Sequence, residues 1–521
     1  MNPARRNGPR VALAALAALM GLPAAATAEQ TVVLDTEGGP VELFTRGEYR
    51  FQVNAGSAIP VDAEGTELDQ GLVLDHRLRA RIGMRAAFMT LDTEWDLFTG
   101  QLAGDTWGID GTLDQRRRWT TASKDGFSAL AFTPRRGAVR FDFNEVTAEF
   151  GLVTSDWGLG LLANGGDRDP YFGRNDFGDR VLRARATFRP LVMNKKTREG
   201  SRAAALNITA AFDYVIEEDT SVLADGQRAL QGIISALWFE PDHCRHGLYL
   251  VYRRQVEPDS ETTDALVVDG LMDQWFTLGP VRLRLAGEAA LIAGRTNRAP
   301  TWNGPDNVRI LQAAATGLAT ASLFEDKLAV TLRGGWASGD ADPDDAVAND
   351  FTFDRDFDVG QVLFDEVMGG INAAAYNLVT DPENTGTPAK GVDLLVNEGA
   401  ASRTVFLQPI VQGRPLPFLT ARAGVLLAWA SAPVRHPFYS FRAGGAAYNH
   451  HNEPADGRYL GTEIDWAVEL TVPFQGYEPE DARFQILVQG GHAVLGEVLR
   501  RDDGSDPAVA HRLLATARVR W

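Results

Sequence analysis

The chain has 521 residues, a formal net charge of −18 and a single cysteine, Cys244. One cysteine excludes a disulfide framework and a cysteine-rich metal site, and the acidic balance argues against a dedicated nucleic-acid binder. Beyond residue 30 the chain has no apolar run of about 18 residues, which excludes a membrane protein built of helices.

The first 28 residues have the parts of a secretory signal peptide. Three arginines precede an apolar stretch, Val11 to Leu22, and Ala26-Thr27-Ala28 has the form of a cleavage site. The alternative is a helical anchor that stays in place, and the shortness of the stretch argues against it. We therefore expect export from the cytoplasm, with cleavage near Ala28.

Beyond the signal peptide, long stretches alternate between apolar and polar residues, which is typical of strands with two different faces. These stretches are about ten residues long, the length that a tilted strand needs to cross a membrane, whereas strands of soluble proteins typically have about 5–6 residues. The clearest example is Leu74–Arg85. One face carries Leu74, Leu78, Ala80, Ile82 and Met84, and the other carries Asp75, Arg77, Arg79, Arg81 and Arg85.

The apolar faces are rich in Ala and Gly and carry aromatic residues toward the strand ends, among them Phe44, which is typical of a lipid-facing surface. The alternative is a large secreted sandwich or propeller. We predict an all-β fold, a single large antiparallel transmembrane β-barrel of about 18 strands (16–20) over residues 29–521, with Trp95, Trp466 and Trp521 facing lipid. The strands are predicted near 44–54, 71–85, 87–100, 137–144, 146–154, 180–190, 202–215, 228–239, 246–255, 265–277, 281–294, 308–323, 327–338, 403–412, 418–430, 458–472, 483–495 and 510–521.

The C-terminus resembles the assembly signal of bacterial outer-membrane barrels, a last strand that ends in an aromatic residue. Trp521 is the final residue, and Val519 and Leu513 share its predicted face. These three residues predict recognition by the barrel assembly machinery.

Three long segments interrupt the alternation and are predicted to be surface or infolded loops, near 101–136, 155–179 and 339–402. The third begins with Asp340, Asp342 and Asp344, whose carboxylates could offer oxygen ligands to Ca²⁺. The segment lacks the Gly and the terminal Glu of the helix-loop-helix calcium motif. We therefore interpret it as a solvated acidic loop, keep the three Asp as weak candidates, and predict no metal site and no cofactor.

Arginines recur on the polar faces, which would line the lumen of a barrel. Arg binds carboxylate or phosphate through a planar fork, and rings of Arg make a pore prefer anions. Acids on neighbouring strands leave a second interpretation open, in which the arginines brace the barrel through ion pairs. The candidates for anion binding are Arg77, Arg79, Arg81, Arg183, Arg185, Arg282, Arg284, Arg518 and Arg520.

Three motifs in the C-terminal part of the chain are similar to those of a known family. Gly334–Pro343 matches an aromatic-Ala-Ser-Gly-Asp-x-x-Pro stretch, which ends a strand and begins a long loop. Phe351–Asp354 matches the Thr-Phe segment that follows this stretch. Leu460–Trp466 matches a strand with the pattern Gly-x-Glu-x-Asp. The chain resembles the alginate-export family of outer-membrane porins in these motifs. The resemblance implies an 18-stranded barrel with an Arg-lined conduit for an anionic polysaccharide.

Together these features predict an outer-membrane channel that passes anionic solutes or an exported acidic polysaccharide. The alternative is a structural or assembly barrel with a plugged lumen that docks a periplasmic or surface partner. No nucleophile elbow, Walker motif or dinucleotide fingerprint is present, so we predict no enzymatic activity. The expected partners are the bilayer of the outer membrane, the assembly machinery and an anionic cargo, and no nucleic acid.

Overall fold

The computed structural model describes residues 30–521 except 37–38, 69–70, 105–130, 176–177, 194–204, 300–304, 306, 387–389, 398, 475–482 and 505–508. The predicted signal peptide and most of the first predicted loop lie outside the described residues.

Eighteen strands, β2 to β19, form one closed antiparallel barrel, as predicted. Each pairs with the next along the chain, and the last pairs with β2 to close the sheet; an additional strand, β1, pairs with the first residues of β2. The strands are β1 Gln30–Thr36, β2 Gly39–Gly56, β3 Leu72–Ala86, β4 Met89–Gly104, β5 Ala131–Phe143, β6 Val146–Thr154, β7 Arg180–Phe188, β8 Leu206–Glu218, β9 Arg228–Glu240, β10 Cys244–Val256, β11 Thr262–Leu278, β12 Val281–Thr296, β13 Val308–Leu323, β14 Leu328–Ala337, β15 Thr404–Leu416, β16 Leu419–Ala430, β17 Tyr459–Pro473, β18 Arg483–Leu495 and β19 Val509–Arg520.

The two ends of the barrel differ in their connections. At one end, which we call the turn end, tight turns such as Ala87-Phe88 and Gly279-Pro280 join the strands, and Trp521 lies there too. The opposite end, the loop end, carries most of the long connections; the turn end has one of 17 residues, between β7 and β8. Strands β4 and β5 reach Gly104 and Ala131, so they extend further into the segment 101–136 than the sequence pattern indicated.

The remaining elements are short. The helices are α1 Pro190–Met193, α2 Gly369–Thr380, α3 Pro382–Thr385 and α4 Pro437–Arg442, with 3₁₀ turns at Leu223–Asp225, Val392–Leu395 and Glu497–Leu499, a π-helical turn at Leu363–Met368, and two-residue strands at Ile59–Pro60, Glu67–Leu68, Ser221–Val222 and Val347–Ala348. Within the described part of the chain, no helix is both long and apolar enough to cross a membrane.

Apolar faces point outward and charged faces point into the barrel. On β4, Asp92, Glu94 and Asp96 are buried, whereas Leu91 on the opposite face is 45% exposed and Trp95 shares that face. Large exposed apolar side chains recur outside nearly every strand, which is the outer surface of a barrel that lies in lipid. They include Phe212, Ile234, Leu248, Tyr252, Leu266, Leu332, Leu407, Ile464, Val468 and Leu513. Trp466 and Trp521 also lie on this outer surface.

Two residues that were expected to face lipid point inward instead: Leu460, where the alternation breaks, and Phe44, which has the inward parity of Glu48 and Arg50. Leu460 is 2% exposed because the pairing of β16 with β17 slips by one residue beside it, and such a bulge turns the side chain to the other face. Phe44 lies opposite Gly83 across β2 and β3 and is 2% exposed. It fills the space that a side chain on Gly83 would need, since a Cβ there would lie 2.2 Å from the Phe44 ring.

The largest apolar core lies inside the barrel, toward the loop end. The segments 155–179 and 338–403, which we call the first and second infolded segments, bury Leu161, Phe353 and Phe364 there. Small inward-facing residues of the wall, such as Ala290 and Ala510, leave room for these side chains. The loop-end half of the lumen is therefore packed with side chains.

Candidate functional site

A cavity of about 410 Å³ lies inside the barrel, between the first infolded segment and the wall, and extends to Trp521 at the turn end. We call it the arginine cavity. Ten arginines line it against five carboxylates. The arginines are Arg46, Arg50, Arg77, Arg79, Arg81, Arg168, Arg174, Arg422, Arg518 and Arg520, and the acids are Glu48, Glu94, Asp167, Asp169 and Glu469. Four of these arginines also pair with acids outside the lining, which are Asp75, Asp92, Asp96 and Asp156.

The alternation of three neighbouring strands concentrates this charge. Arg50 on β2 lies in register with Arg77 on β3 and with Arg518 on β19. Like charges that lie directly opposite one another in a sheet repel. The strand pairing therefore holds guanidinium groups closer together than they would lie in solution, and an anion in the cavity would relieve the repulsion.

Glu48 is the acid at the centre of these arginines. Its carboxylate accepts a hydrogen bond from Arg77 at 3.0 Å and one from Arg520 Nε at 2.8 Å, and it lies 3.4 Å from Arg518 Nε. One carboxylate shared among three guanidinium groups leaves several of their N–H donors available to an anion.

The first infolded segment contributes two further acids. Asp169 accepts a hydrogen bond from Arg518 at 3.1 Å and lies 3.3 Å from Arg520, and Asp167 accepts one from Arg79 at 3.0 Å. Burial acts to raise the pKa of Asp169, but Arg520 and Arg518 outweigh it and hold that pKa below its usual range. The Asp167 and Asp169 side chains are 58% and 63% exposed, so an incoming anion can compete with them for the arginines.

The structure brings five of the nine predicted arginines together, and their role in binding anions stays a prediction. Arg77, Arg79, Arg81, Arg518 and Arg520 line the cavity. Two of these also pair with acids of β4: Arg79 donates two hydrogen bonds of 2.7 and 3.0 Å to Asp96, and Arg81 donates one to Asp92.

The other four predicted arginines lie away from the cavity, each paired with an acid. Arg183 holds Asp213 through two hydrogen bonds of 2.7 and 2.6 Å, and Arg284 holds Asp273 in the same way at 2.8 and 2.9 Å. The remaining two pairs are Arg185 with Glu149 at 2.9 Å and Arg282 with Asp326 at 2.9 Å. In this part of the wall the geometry is that of internal bracing.

Sequence analysis missed Arg46, Arg50, Arg168 and Arg174. The first two alternate with Glu48 along β2, so the period-two pattern that identified Arg77 and Arg79 carried the same signal there. Arg168 and Arg174 lie in the first infolded segment, where no periodic pattern indicates which side chains reach the lumen.

The weak metal candidates have a local role in the turn that they form. Asp340 accepts hydrogen bonds from the backbone N–H groups of Asp342 at 2.9 Å and Asn349 at 3.1 Å, and Asp342 accepts one from Asp344 N–H at 3.4 Å. Among the described residues, the three acids whose ligand atoms do converge are others, Asp179, Asp219 and Asp354.

The predicted assembly signal lies at the edge that closes the barrel. Leu513 is 47% exposed on the outside, and Val519 shares its face. Trp521 exchanges two backbone hydrogen bonds with Gly47, of 2.7 and 3.0 Å. Its ring covers Gly47 so closely that a Cβ there would lie 2.4 Å from it. Its recognition during assembly stays a prediction.

No family model and no curated protein matches this chain. Solved structures do match over nearly its full length. Pseudomonas aeruginosa OpdK, solved with vanillate, gives a TM-score of 0.48 at 12% identity over 92% of this chain and 99% of that one. Acinetobacter baumannii OccAB1 gives 0.47 at 11% over 91% and 96%, and P. aeruginosa OccK2 (OpdF), solved with glucuronate, gives 0.45 at 10% over 92% and 98%. The resemblance to the alginate-export family finds no support in these comparisons.

Proposed function

We propose that the protein is an outer-membrane channel for small anionic solutes, and that the arginine cavity is where they bind inside it. The observation that carries the proposal is the lining of one cavity in the lumen of a closed barrel, where ten arginines face five carboxylates. Even with the four acids that pair with these arginines from outside the lining, the arginines outnumber the carboxylates. Arg-lined constrictions make a pore prefer anions, and water in the lumen keeps these charges from a prohibitive desolvation cost.

The orientation follows from the connections. In bacterial barrels of this class the short turns are periplasmic and the long loops are extracellular. The arginine cavity, which reaches Trp521, therefore lies on the periplasmic side, and the infolded segments lie between it and the cell exterior. Export through a signal peptide that ends near Ala28 belongs to the same proposal.

The size of the cavity favours a small solute over a polymer. A volume of about 410 Å³ lies within the range of sites that hold small molecules. The loop-end half of the lumen is filled by Phe351, Phe353, Phe357 and Phe364, which pack on one another and on the wall. An acidic polysaccharide would need a wide passage through this half, so small carboxylates are the favoured solutes.

Reversal potential in a planar bilayer under a KCl gradient tests the proposal. The reversal potential of wild type should have the sign expected of an anion-selective pore. The double variant Arg518→Gln with Arg520→Gln should lose much of that anion preference. Arg282→Gln removes one guanidinium that lies outside the cavity and is 56% exposed, so it should leave the preference unchanged. A cation preference in wild type would contradict the proposal.

The packed lumen supports a second candidate, a plugged barrel that docks a periplasmic or surface partner. The apolar cluster of the infolded segments is the observation that favours it. The same bilayer recording separates the two, because a plugged barrel would give no conductance steps in wild type.

A further inference from the structure

Three carboxylates from distant parts of the chain converge where the infolded segments meet the wall. Asp179 immediately precedes β7, Asp219 follows β8, and Asp354 belongs to the second infolded segment. One carboxylate oxygen of each lies within 4.8 Å of those of the other two. We call this group the carboxylate triad.

The three members differ in how their charge is balanced. Asp219 pairs with Arg355, whose Nε and backbone N–H both donate to it, at 2.5 and 3.1 Å. Asp354 accepts backbone N–H groups of Asn164 at 3.1 Å and Asp356 at 2.8 Å. Asp179 is 7% exposed, and its carboxylate accepts no hydrogen bond from any residue that the structure describes.

The surroundings of the triad add negative charge. Glu218 lies beside it and is held by Arg253 at 2.5 Å, and Asp356 accepts the backbone N–H of Gly178 at 2.6 Å. Burial first, and then the charge of Asp219, raise the pKa of both Asp179 and Asp354 well above the usual range, with Arg355 acting in the opposite direction on Asp179. A buried carboxylate without a partner is unfavourable, and protonation or capture of a cation relieves that cost.

We propose that the carboxylate triad binds a divalent cation, Ca²⁺, between the infolded segments and the barrel wall. Ca²⁺ takes oxygen ligands at about 2.3–2.6 Å, so two ligands on opposite sides of the ion lie about 4.8 Å apart. The triad oxygens, all within 4.8 Å of one another, are close enough to ligate one such ion together, with Asp179 supplying the ligand that accepts no hydrogen bond from a described residue. Mg²⁺ is usually held by one or two carboxylates and keeps several waters, so three carboxylates of the protein favour Ca²⁺.

The site would add a shared ligand to three elements that also make direct hydrogen bonds with one another, such as Asn164 N–H to Asp354 and Arg355 to Asp219. Asp179 belongs to the end of the first infolded segment, Asp219 to the hairpin between β8 and β9, and Asp354 to the second infolded segment. A cation there would hold both infolded segments against the wall. The inference is independent of which solute passes through the barrel.

Calorimetric titration of CaCl₂ into the full-length barrel, purified in detergent and stripped with EDTA, tests the site. We expect one Ca²⁺ per chain, at least about tenfold weaker binding of Mg²⁺, and a higher apparent melting temperature with Ca²⁺. Asp179→Asn and Asp354→Asn should each abolish the binding and the thermal shift. The double variant Asp342→Asn with Asp344→Asn removes charge from the exposed acidic loop and should retain both.

Three results would overturn the proposal. One is the absence of Ca²⁺ binding by wild type together with a higher melting temperature of Asp179→Asn, because that combination shows that a proton neutralises the triad. Another is binding that survives both triad variants. The third is binding that is lost in Asp342→Asn with Asp344→Asn, which would place the ion on the exposed loop. Heat-modifiable migration of each variant verifies that it is folded.

Discussion

Glu48 and Arg520 face each other across the seam where the last strand meets the first strand of the barrel, with Arg520 Nε 2.8 Å from the Glu48 carboxylate. The same carboxylate also holds Arg77 at 3.0 Å. The ion pair that closes the barrel is therefore also part of the cavity proposed to bind anions, and stability and selectivity share one residue.

Glu48→Gln should separate these two effects. The excess of positive charge around the cavity rises by one, so anion preference in the bilayer should increase. The arginines lose their shared acceptor, and the free energy of unfolding should fall by about 2 kcal/mol. Glu42→Gln, on the same strand, breaks only the exposed pair with Arg85 at 3.8 Å and should change neither quantity measurably. Unchanged selectivity in Glu48→Gln would count against the role of the cavity.

Arg183→Gln should lower stability and leave ion selectivity alone. Its partner Asp213 is fully buried, so removing the guanidinium leaves an uncompensated carboxylate at a cost of about 3–5 kcal/mol. The double variant Arg183→Gln with Asp213→Asn should recover most of the loss in thermal or urea unfolding. Loss of selectivity with normal stability would show that Arg183 belongs to the anion path.

Trp521→Asp should reduce the fraction of heat-modifiable, folded barrel in the outer membrane. The ring packs over Gly47, and its loss exposes the seam beside the final strand. Trp521→Phe keeps an aromatic ring and should assemble nearly normally. Equal levels of folded barrel in all three proteins would refute the assembly role of this residue.

Acidification should loosen the segment 431–458 at the loop end. Burial lowers the pKa of His436 to about 3, although Asp62 acts in the opposite direction. In the unfolded chain the pKa is about 6.5, so the unfolded form binds a proton that the folded form does not. The contribution of His436 to the free energy of unfolding is fully present above pH 6.5 and falls by about 1.4 kcal/mol per pH unit down to pH 3.

Hydrogen exchange of this segment at pH 7 and pH 5 measures that change. His436 Nδ1 accepts the N–H of Tyr439 at 3.4 Å at the start of α4. Asn can accept the same hydrogen bond but does not titrate in this pH range. His436→Asn should therefore reduce the difference in exchange between pH 7 and pH 5. His450, whose pKa is lowered by burial and by His451, should leave a smaller dependence in the variant. Identical exchange at both pH values in wild type would contradict the prediction.

The barrel could be predicted from the sequence because the face on which a strand residue lies follows from its neighbours in the sequence. Leu91, Trp95 and Asp96 reveal their faces through a period of two, and eighteen such patterns are enough to specify a closed sheet. The same rule failed at Leu460, where a bulge resets the phase. At Phe44 the period of two itself points inward, on the face of Glu48 and Arg50, and the expectation of a lipid-facing aromatic residue was wrong.

The interior could be predicted only in part. Arg77 and Arg79 were found because they lie on a strand, whereas Arg174 reaches the cavity through an irregular segment. The carboxylate triad joins residues 40 and 135 positions apart along the chain, and nothing in the sequence near Asp219 or Asp354 distinguishes these acids from the exposed ones at Asp342 and Asp344. Such convergence depends on long-range packing, which strand periodicity does not encode.

The apolar cluster inside the barrel draws on the whole length of the chain, from Ile59 near the first barrel strand to Ala510 on the last. The last strand supplies part of the wall around Phe353 and Phe364, through Ala510 in the same cluster. A chain without the last strand would expose part of this aromatic surface to water, whereas the closed barrel buries it. Burial of these rings therefore depends on closure of the barrel.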